Sequence, residues 1–399
     1  MAHPKNRTTR TAVPMDRDPI GGNHLGDRPV VVRFGRWLAG SMTYVGALVA
    51  IGGLLTVLAY AVSGVEIVSN VGTLLNDGSR TQVDSWAALM LQTAAAALLM
   101  LTPVVGGYVA YGIAGCQGIL PGAIGGVVAM VSFGGFLGGI VAGVLAGTTT
   151  VVARRVTGRL AQRGTVSLLL VPAVATAVTA AVVFELVGPR VTALVDALHN
   201  ALPPMTWGSG AVLGLVLGLL VSADLSGTIS KAAIAFAATG VQVAPNSLNF
   251  TIMATVMAAG MVPPLALSLA TLVRGRLFTP GERSYGKVSW LFGAAFIPEG
   301  AVPFALADPL RVLPATLAGG AVTGVLTMTF GSTMTTNIGG VFAIGHLGSP
   351  LLFASAVAAG VLVTAGAVVG LKSLRRAVPT ETTARADTRR TTKVDAAIA

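Results

Sequence analysis

Long apolar runs recur along the chain from about residue 38 to residue 372, separated by short polar or basic stretches. Ser167–Val187, Ile252–Val273 and Leu351–Leu371 are each about the 20 residues a helix needs to cross a bilayer. The pattern predicts a first span at Trp37–Val62, a polar loop at Gly64–Gln82 and a second span at Trp86–Ala114. Ile119–Val152 is glycine-rich and too long for one straight helix. It reads as two crossings that meet near Ser132–Gly135. Its small residues at spacing four let helices approach closely. Thr165–Val187 crosses next, and Arg190–Pro204 reads as amphipathic and interfacial. Beyond it lie a short apolar run at Gly208–Ser222 and spans at Ile252–Val273, Val288–Leu306, Leu313–Phe330 and Leu351–Leu371. The expected architecture is an all-α integral membrane protein with about 8–10 transmembrane helices plus re-entrant hairpins.

Composition agrees with that reading. The chain has 399 residues, of which 53% are hydrophobic and only 10% charged, against about 25% charged in soluble proteins. Its net charge of +11 does not indicate a nucleic-acid partner, because the basic residues cluster at span ends. Of 26 Lys and Arg, seven lie in residues 1–36, seven in 372–393, four in Arg154–Arg163 and four in Arg274–Lys287. By the positive-inside rule these clusters are cytoplasmic, so both termini are expected there. The tails 1–35 and 377–399 are expected to be disordered and basic, flanking a membrane domain at 36–376, with contact to anionic lipid. The chain is read as having no cleavable signal, since its first apolar run is long enough to remain as a span. Trp37, Trp86, Trp207 and Trp290 sit near span ends, where aromatic belts form. The single cysteine, Cys116, permits no internal disulfide. The four histidines are scattered, and no metal or cofactor site is expected.

Polar residues inside apolar segments are the candidates for function. Two segments stand out, SADLSGTISKAAIAF at 222–236 and IPEGAVPFALADPLR at 297–311, with a milder third, GSTMTTNIGG, at 331–340. A buried carboxylate is costly in a membrane, by several kcal/mol on insertion scales, and non-helical backbone is tolerated there only against protein or a water-filled cavity. Gly/Pro-broken segments with embedded charge are the best sequence pointer to a transporter site. Glu299 therefore reads as a substrate contact, with a carboxylate satisfied at a helix start as the competing reading. Gly300, Asp224, Lys231, Ser230, Asn337 and Thr336 are the other candidates for substrate binding. Asp224 and Lys231 can instead hold a hairpin together, and Thr336 and Asn337 can cap a helix. Asp308 and Arg311, three residues apart, read as a structural pair. No nucleophile–base pair is recognisable. Cys116 has no basic neighbour to activate it.

Several of these stretches resemble one family. GGYVAYGIAGCQGILPGAIGGVVA (106–129), GGFLGGIVAGVLAG (134–147), SADLSGTISKAAIAF (222–236), MAAGMVPPLALSLATL (257–272), IPEGAVPFALADPLRVLPA (297–315) and GGAVTGVLTMTFGS (319–332) are similar, in order, to the enzyme IIC permease of the fructose-type sugar phosphotransferase system. The resemblance covers residues 38 to 376. It implies the fold of the wider glucose-type superfamily: a homodimer whose protomers have a transport domain that moves against a dimerisation domain. It implies that Glu299 accepts hydrogen bonds from sugar hydroxyls. The chain departs from the family pattern at four polar places. Pro298 stands where Thr is usual, and Asn337–Ile338 where Pro-His is usual. Ser226, Thr228 and Ser230 replace Gly, Pro and Asn, and Gly115–Cys116–Gln117 replaces Asp-Arg-Pro.

The resemblance implies fructose or a related sugar as substrate and a bacterial plasma membrane as location. It also implies separate soluble IIA and IIB subunits, because no domain with a phosphorylated His or Cys is recognisable in this chain. The alternative expectation is a transporter of the same fold that moves another small polar solute without phosphorylation.

Overall fold

The structure is a computed structural model and describes residues 30–76, 82–132, 134–157, 164–205, 209–225 and 227–374. The two expected tails lie outside these residues, apart from the start of α1, as does Trp207. Fifteen helices follow in order: α1 (Val30–Ser63), α2 (Ile67–Asn76), α3 (Val83–Leu99), α4 (Leu101–Ala114), α5 (Cys116–Ser132), α6 (Gly135–Thr157), α7 (Gly164–Ala181), α8 (Gly188–Met205), α9 (Gly210–Ala223), α10 (Thr228–Val243), α11 (Ser247–Val273), α12 (Pro280–Ala294), α13 (Val302–Ala307), α14 (Pro309–Phe330) and α15 (Pro350–Ser373). A two-residue hairpin, β1 (Thr333–Met334) against β2 (Leu347–Gly348), joins α14 to α15. Among the described residues, seven helical stretches are long and apolar enough to cross a membrane, and α5, α9 and α10 are shorter apolar helices. The protein is an all-α, multi-pass membrane protein.

Breaks fall where the sequence withdraws a backbone donor or inserts glycine. Val83–Ala114 is one apolar stretch divided at Met100. Pro103 cannot donate to the Leu99 carbonyl, so the helix bends there. Val182–Val187 forms a π-helical segment between α7 and α8, so Arg190–Pro204 continues a long helix. The expected polar loop 64–82 contains α2 instead. Its Ile67, Val68, Val71 and Leu74 pack with Ala87, Ala88 and Leu91 of α3, an apolar face that overrode the loop's polar composition.

Glycine at spacing four builds two close-packed slabs. In the first, α4 is wedged between α5 and α6. A Cβ at Gly126 would meet Pro103 Cα at 2.7 Å, and one at Gly143 would meet the Gly106 carbonyl at 2.6 Å. In the second, Gly214 and Gly218 of α9 face Gly324 and Gly320 of α14, while Gly319 on α14 faces Gly360 of α15. Without such residues the helices would have to separate, and these contacts are the main attraction between helices in lipid.

Helix α11 is the central post. Of its span 78% is buried, against 22–50% for the other six. Its Asn246 caps the start by accepting from Asn249 N–H at 2.9 Å. Its Pro263–Pro264 pair carries α12 and the turn beyond it: Ser289 Oγ bridges the carbonyls of Pro264 and Gly300, 3.2 Å from each.

The expected crossing at Val288–Leu306 is absent. Helix α12 stops at Ala294, a 3-10 turn occupies Pro298–Ala301, and α13 is only six residues long. Both ends of this unit are tied to the same end of α15. Glu282, at the start of α12, accepts from Lys372 Nζ at 2.8 Å. Arg311, at the start of α14, donates from Nε to the Leu371 carbonyl at 3.1 Å and pairs with Asp308 at 3.0 Å. Residues 280–309 therefore leave one end of the bundle, turn at 295–301 and return to it. Pro298 and Pro303, which cannot extend a helical ladder, set that turn.

Candidate functional site

Three turns between helices converge beside the break in Val83–Ala114. They are Gly134–Gly135 between α5 and α6, the turn formed by Asp224, Leu225 and Gly227 between α9 and α10, and 295–301 between α12 and α13. Each needs unusual backbone. Gly134 and Gly135 have φ of +64° and +76°, Leu225 has +46°, and Phe296 has +60°. A non-glycine residue held there costs on the order of 1–3 kcal/mol, and such strain concentrates at functional sites. The Thr102 hydroxyl donates to the Gly135 carbonyl at 3.0 Å, fixing the first turn to α4.

A cavity of about 250 Å³ lies where they meet, lined by residues that include Leu98, Thr102, Met130, Gly135, Lys231 and Glu299. That is just below the ~300–1,000 Å³ usual for small-molecule sites. Leu98 and Thr102 lie about halfway along Val83–Ala114, so the cavity sits near the middle of that span. Transporter sites built from interrupted helices lie at such depths.

Glu299 is half-buried in the 3-10 turn and reaches the cavity wall. Gly300 is buried behind it, where a Cβ would meet Phe292 at 2.8 Å and Pro264 at 3.1 Å. The turn can press against α11 and α12 only as glycine. Lys231 is exposed into the same cavity from the first turn of α10. Cavity charge is thus one carboxylate and one ammonium on two different hairpins.

Asp224 is buried and does not line the cavity. Its carboxylate accepts from the backbone N–H of Gly227 at 3.1 Å, Ile229 at 2.8 Å and Ser230 at 3.1 Å. The Ser230 hydroxyl donates to the Gly227 carbonyl at 3.1 Å. Together these two candidates shape the turn that carries Lys231. Thr336 and Asn337 are half-buried and exposed, respectively, and neither lines the cavity. Their loop approaches it from behind: a Cβ at Gly340 would come within 2.8 Å of Phe296 N, and Ile338 packs against the main core.

Thr102, Met130, Gly135 and Leu98 were not among the sequence candidates. For Gly135 a signal exists, since paired glycines mark the expected turn. For the others nothing local distinguishes them from ordinary span residues. Tyr285 is another addition. Its buried hydroxyl has no hydrogen-bond partner among the described residues, its ring packs on Phe292 and Phe304, and it lies within electrostatic reach of Glu299.

Chemically, the arrangement suits a polyhydroxylated solute. A carboxylate accepts hydroxyl protons in short, charge-assisted bonds, an ammonium offers three donors, and Leu98 and Met130 supply apolar surface.

Comparison with known proteins places this geometry in context. The chain is 39% identical over 348 residues, 86% of its length, to a Rhodobacter capsulatus protein named PTS system fructose-specific EIIB'BC component. It is 35% identical over 271 residues, covering 88% of the relative, to the fructose permease IIC component of Bacillus amyloliquefaciens. It is 32% identical over 343 residues, again 88% of the relative, to a PTS system fructose-specific EIIC component from Haloferax volcanii. The chain spans 57% of the length of the Rhodobacter protein and 42% of a Bacillus subtilis EIIABC component. No family profile matches the chain. No solved structure matches it.

Proposed function

The chain belongs to the fructose-type enzyme IIC family of the sugar phosphotransferase system, and from that premise we propose that it is the membrane permease of such a system. It carries fructose or a related sugar to the point where separate soluble IIA and IIB subunits phosphorylate it. The observation that carries the reading is Glu299 at the tip of a hairpin, on the wall of a mid-span cavity it shares with Lys231.

In this reading Glu299 accepts sugar hydroxyls, and Gly300 allows the turn that presents it. Lys231 is the second polar contact. Asp224 and Ser230 act through the α10 turn, as positioning residues. Thr336 and Asn337 form a loop against the back of the Glu299 turn. Ile338, where the family pattern has histidine, supplies packing, so hydroxyl recognition falls to Glu299 and Thr102. The protein sits in a bacterial plasma membrane as a homodimer. The end of the bundle carrying Arg154, Arg274 and Lys372 faces the cytoplasm, in keeping with the positive-inside rule, and so do both termini.

The test is uptake of labelled fructose in cells lacking their own fructose permease, with this chain and soluble phosphotransferase subunits supplied. Intracellular sugar phosphate that depends on those subunits is expected. Glu299→Gln should abolish it while leaving the protein inserted. Entry of free sugar alone would replace the reading by uncoupled transport.

A further inference from the structure

We infer that the two charges of the cavity divide the ligand between them, with Glu299 holding sugar hydroxyls and Lys231 holding the phosphate of the sugar phosphate product. The inference rests on the permease reading and specifies how its site discriminates free from phosphorylated sugar.

The argument begins with charge. A phosphate monoester carries about −1.5 to −2 at neutral pH. A cavity whose anion is Glu299 repels that group, because like charges in a shared site oppose each other. Of the residues lining the cavity, Lys231 is the sole cation. Among the described residues the ion pairs are Arg311–Asp308 and Lys372–Glu282, so the Lys231 ammonium is not committed to a carboxylate. An ammonium is a compact point charge that binds phosphate well.

Placement points the same way. Lys231 Nζ lies over the Gly134–Gly135 turn, 3.6 Å from where a Cβ on Gly134 would sit. The turn has no side chain there to cover the ammonium. The α10 N-terminus offers no rival anion site, since Asp224 occupies the N–H groups of Gly227, Ile229 and Ser230. Those bonds fix the first helical turn, and Lys231 N–H closes it on the Gly227 carbonyl at 3.0 Å. The base of the lysine is rigid, and its charge projects into the cavity from a different hairpin than Glu299.

The experiment uses the purified full chain in lipid nanodiscs. Binding of labelled fructose is measured directly, and fructose 1-phosphate, fructose 6-phosphate and inorganic phosphate serve as competitors. In Lys231→Gln the affinity for fructose should fall by less than tenfold. At least one of the sugar phosphates should weaken by roughly 10–100-fold, the range for loss of a charged hydrogen bond. Lys231→Arg should recover most of that loss. The phosphate gains about one negative charge as pH rises through ~6, so wild-type affinity for the ester should rise from pH 5 to pH 7.5, a rise that Lys231→Gln abolishes. Equal weakening of fructose and its phosphates, or no weakening of either, overturns the division while leaving the permease reading intact. A wild-type protein that binds neither fructose nor any of the competitors overturns both.

Discussion

Gly135 and Gly227 meet backbone against backbone, so closely that a Cβ on Gly135 would overlap the Cα of Gly227. This contact joins the α5–α6 turn to the α9–α10 turn directly beside the cavity. Gly135 also has a φ of +76°. Gly135→Ala adds about 1–2 kcal/mol of left-handed strain and forces the two turns apart. Displacement of this kind near a site can reduce activity about a hundredfold. Fructose uptake should fall by that order. Gly134→Ala meets the Lys231 ammonium and the Met130 carbonyl, each at an ordinary contact distance of 3.6 Å, and adds only the strain. Its uptake should exceed that of Gly135→Ala, and equal loss in both would show that strain, not contact, governs the turn.

Asp224 is expected to act on α10 rather than on the solute. Asp224→Ala leaves the N–H groups of Ile229 and Ser230 unmatched, while Gly227 N–H keeps the Asp224 carbonyl at 3.2 Å, and a single buried unsatisfied donor costs about 1–3 kcal/mol. The thermal midpoint in detergent should drop by several degrees, at roughly 2–4 °C per kcal/mol. Asp224→Asn, which keeps one acceptor oxygen, should fall between wild type and alanine. A wild-type midpoint for Asp224→Ala would remove it from the turn.

Cys116 serves as a reporter of sidedness. It is exposed and begins α5, immediately after the Gly115 turn. Arg154 Nη1 donates to the neighbouring Ala114 carbonyl at 3.2 Å, which puts Cys116 at the same end of the bundle as Arg154 and Arg155. A membrane-impermeant maleimide should label it in inside-out vesicles and not in right-side-out ones. Cys116→Ser should abolish the labelling and keep uptake near wild type. Labelling from the opposite side would invert the proposed orientation.

The spans were legible in the sequence because a bilayer imposes a length and a hydropathy on each crossing. The α4–α5–α6 slab was legible for a related reason, since glycine at spacing four is a local pattern. So was the Asp308–Arg311 pair, three residues apart on one turn. The cavity was legible only in part. Glu299 and Lys231 were visible as charges in broken segments, but nothing local said that two hairpins 68 residues apart bring them to one wall. Asp224 looked identical to them in sequence, yet its carboxylate is used within its own turn. Residues 280–309 misled because apolar content suggested a crossing. Two links to α15, from Glu282 across 90 residues and from Arg311 across 60, make them a hairpin.

The Glu282–Lys372 pair closes the base of that hairpin and gives the sharpest stability test. Lys372 is 5% exposed and Glu282 is 2% exposed. Glu282 is fully engaged. One oxygen accepts from Lys372 at 2.8 Å, and the other accepts from Thr279 N–H at 2.7 Å in a capping box. Lys372 Nζ also lies 4.3 Å from the centre of the Phe278 ring. Removing one partner of a buried pair strands a charge and typically costs about 3–5 kcal/mol, whereas replacing both with apolar or neutral groups is often neutral. Lys372→Met should therefore lower the thermal midpoint markedly, and the double variant Glu282→Gln, Lys372→Met should recover a substantial part of the loss. Because the pair anchors the hairpin that ends in Glu299, Lys372→Met should also weaken fructose binding, and the double variant should restore it. Additive losses in the double variant would mean that the two side chains act independently, and that the hairpin is held by its packing on α11 instead.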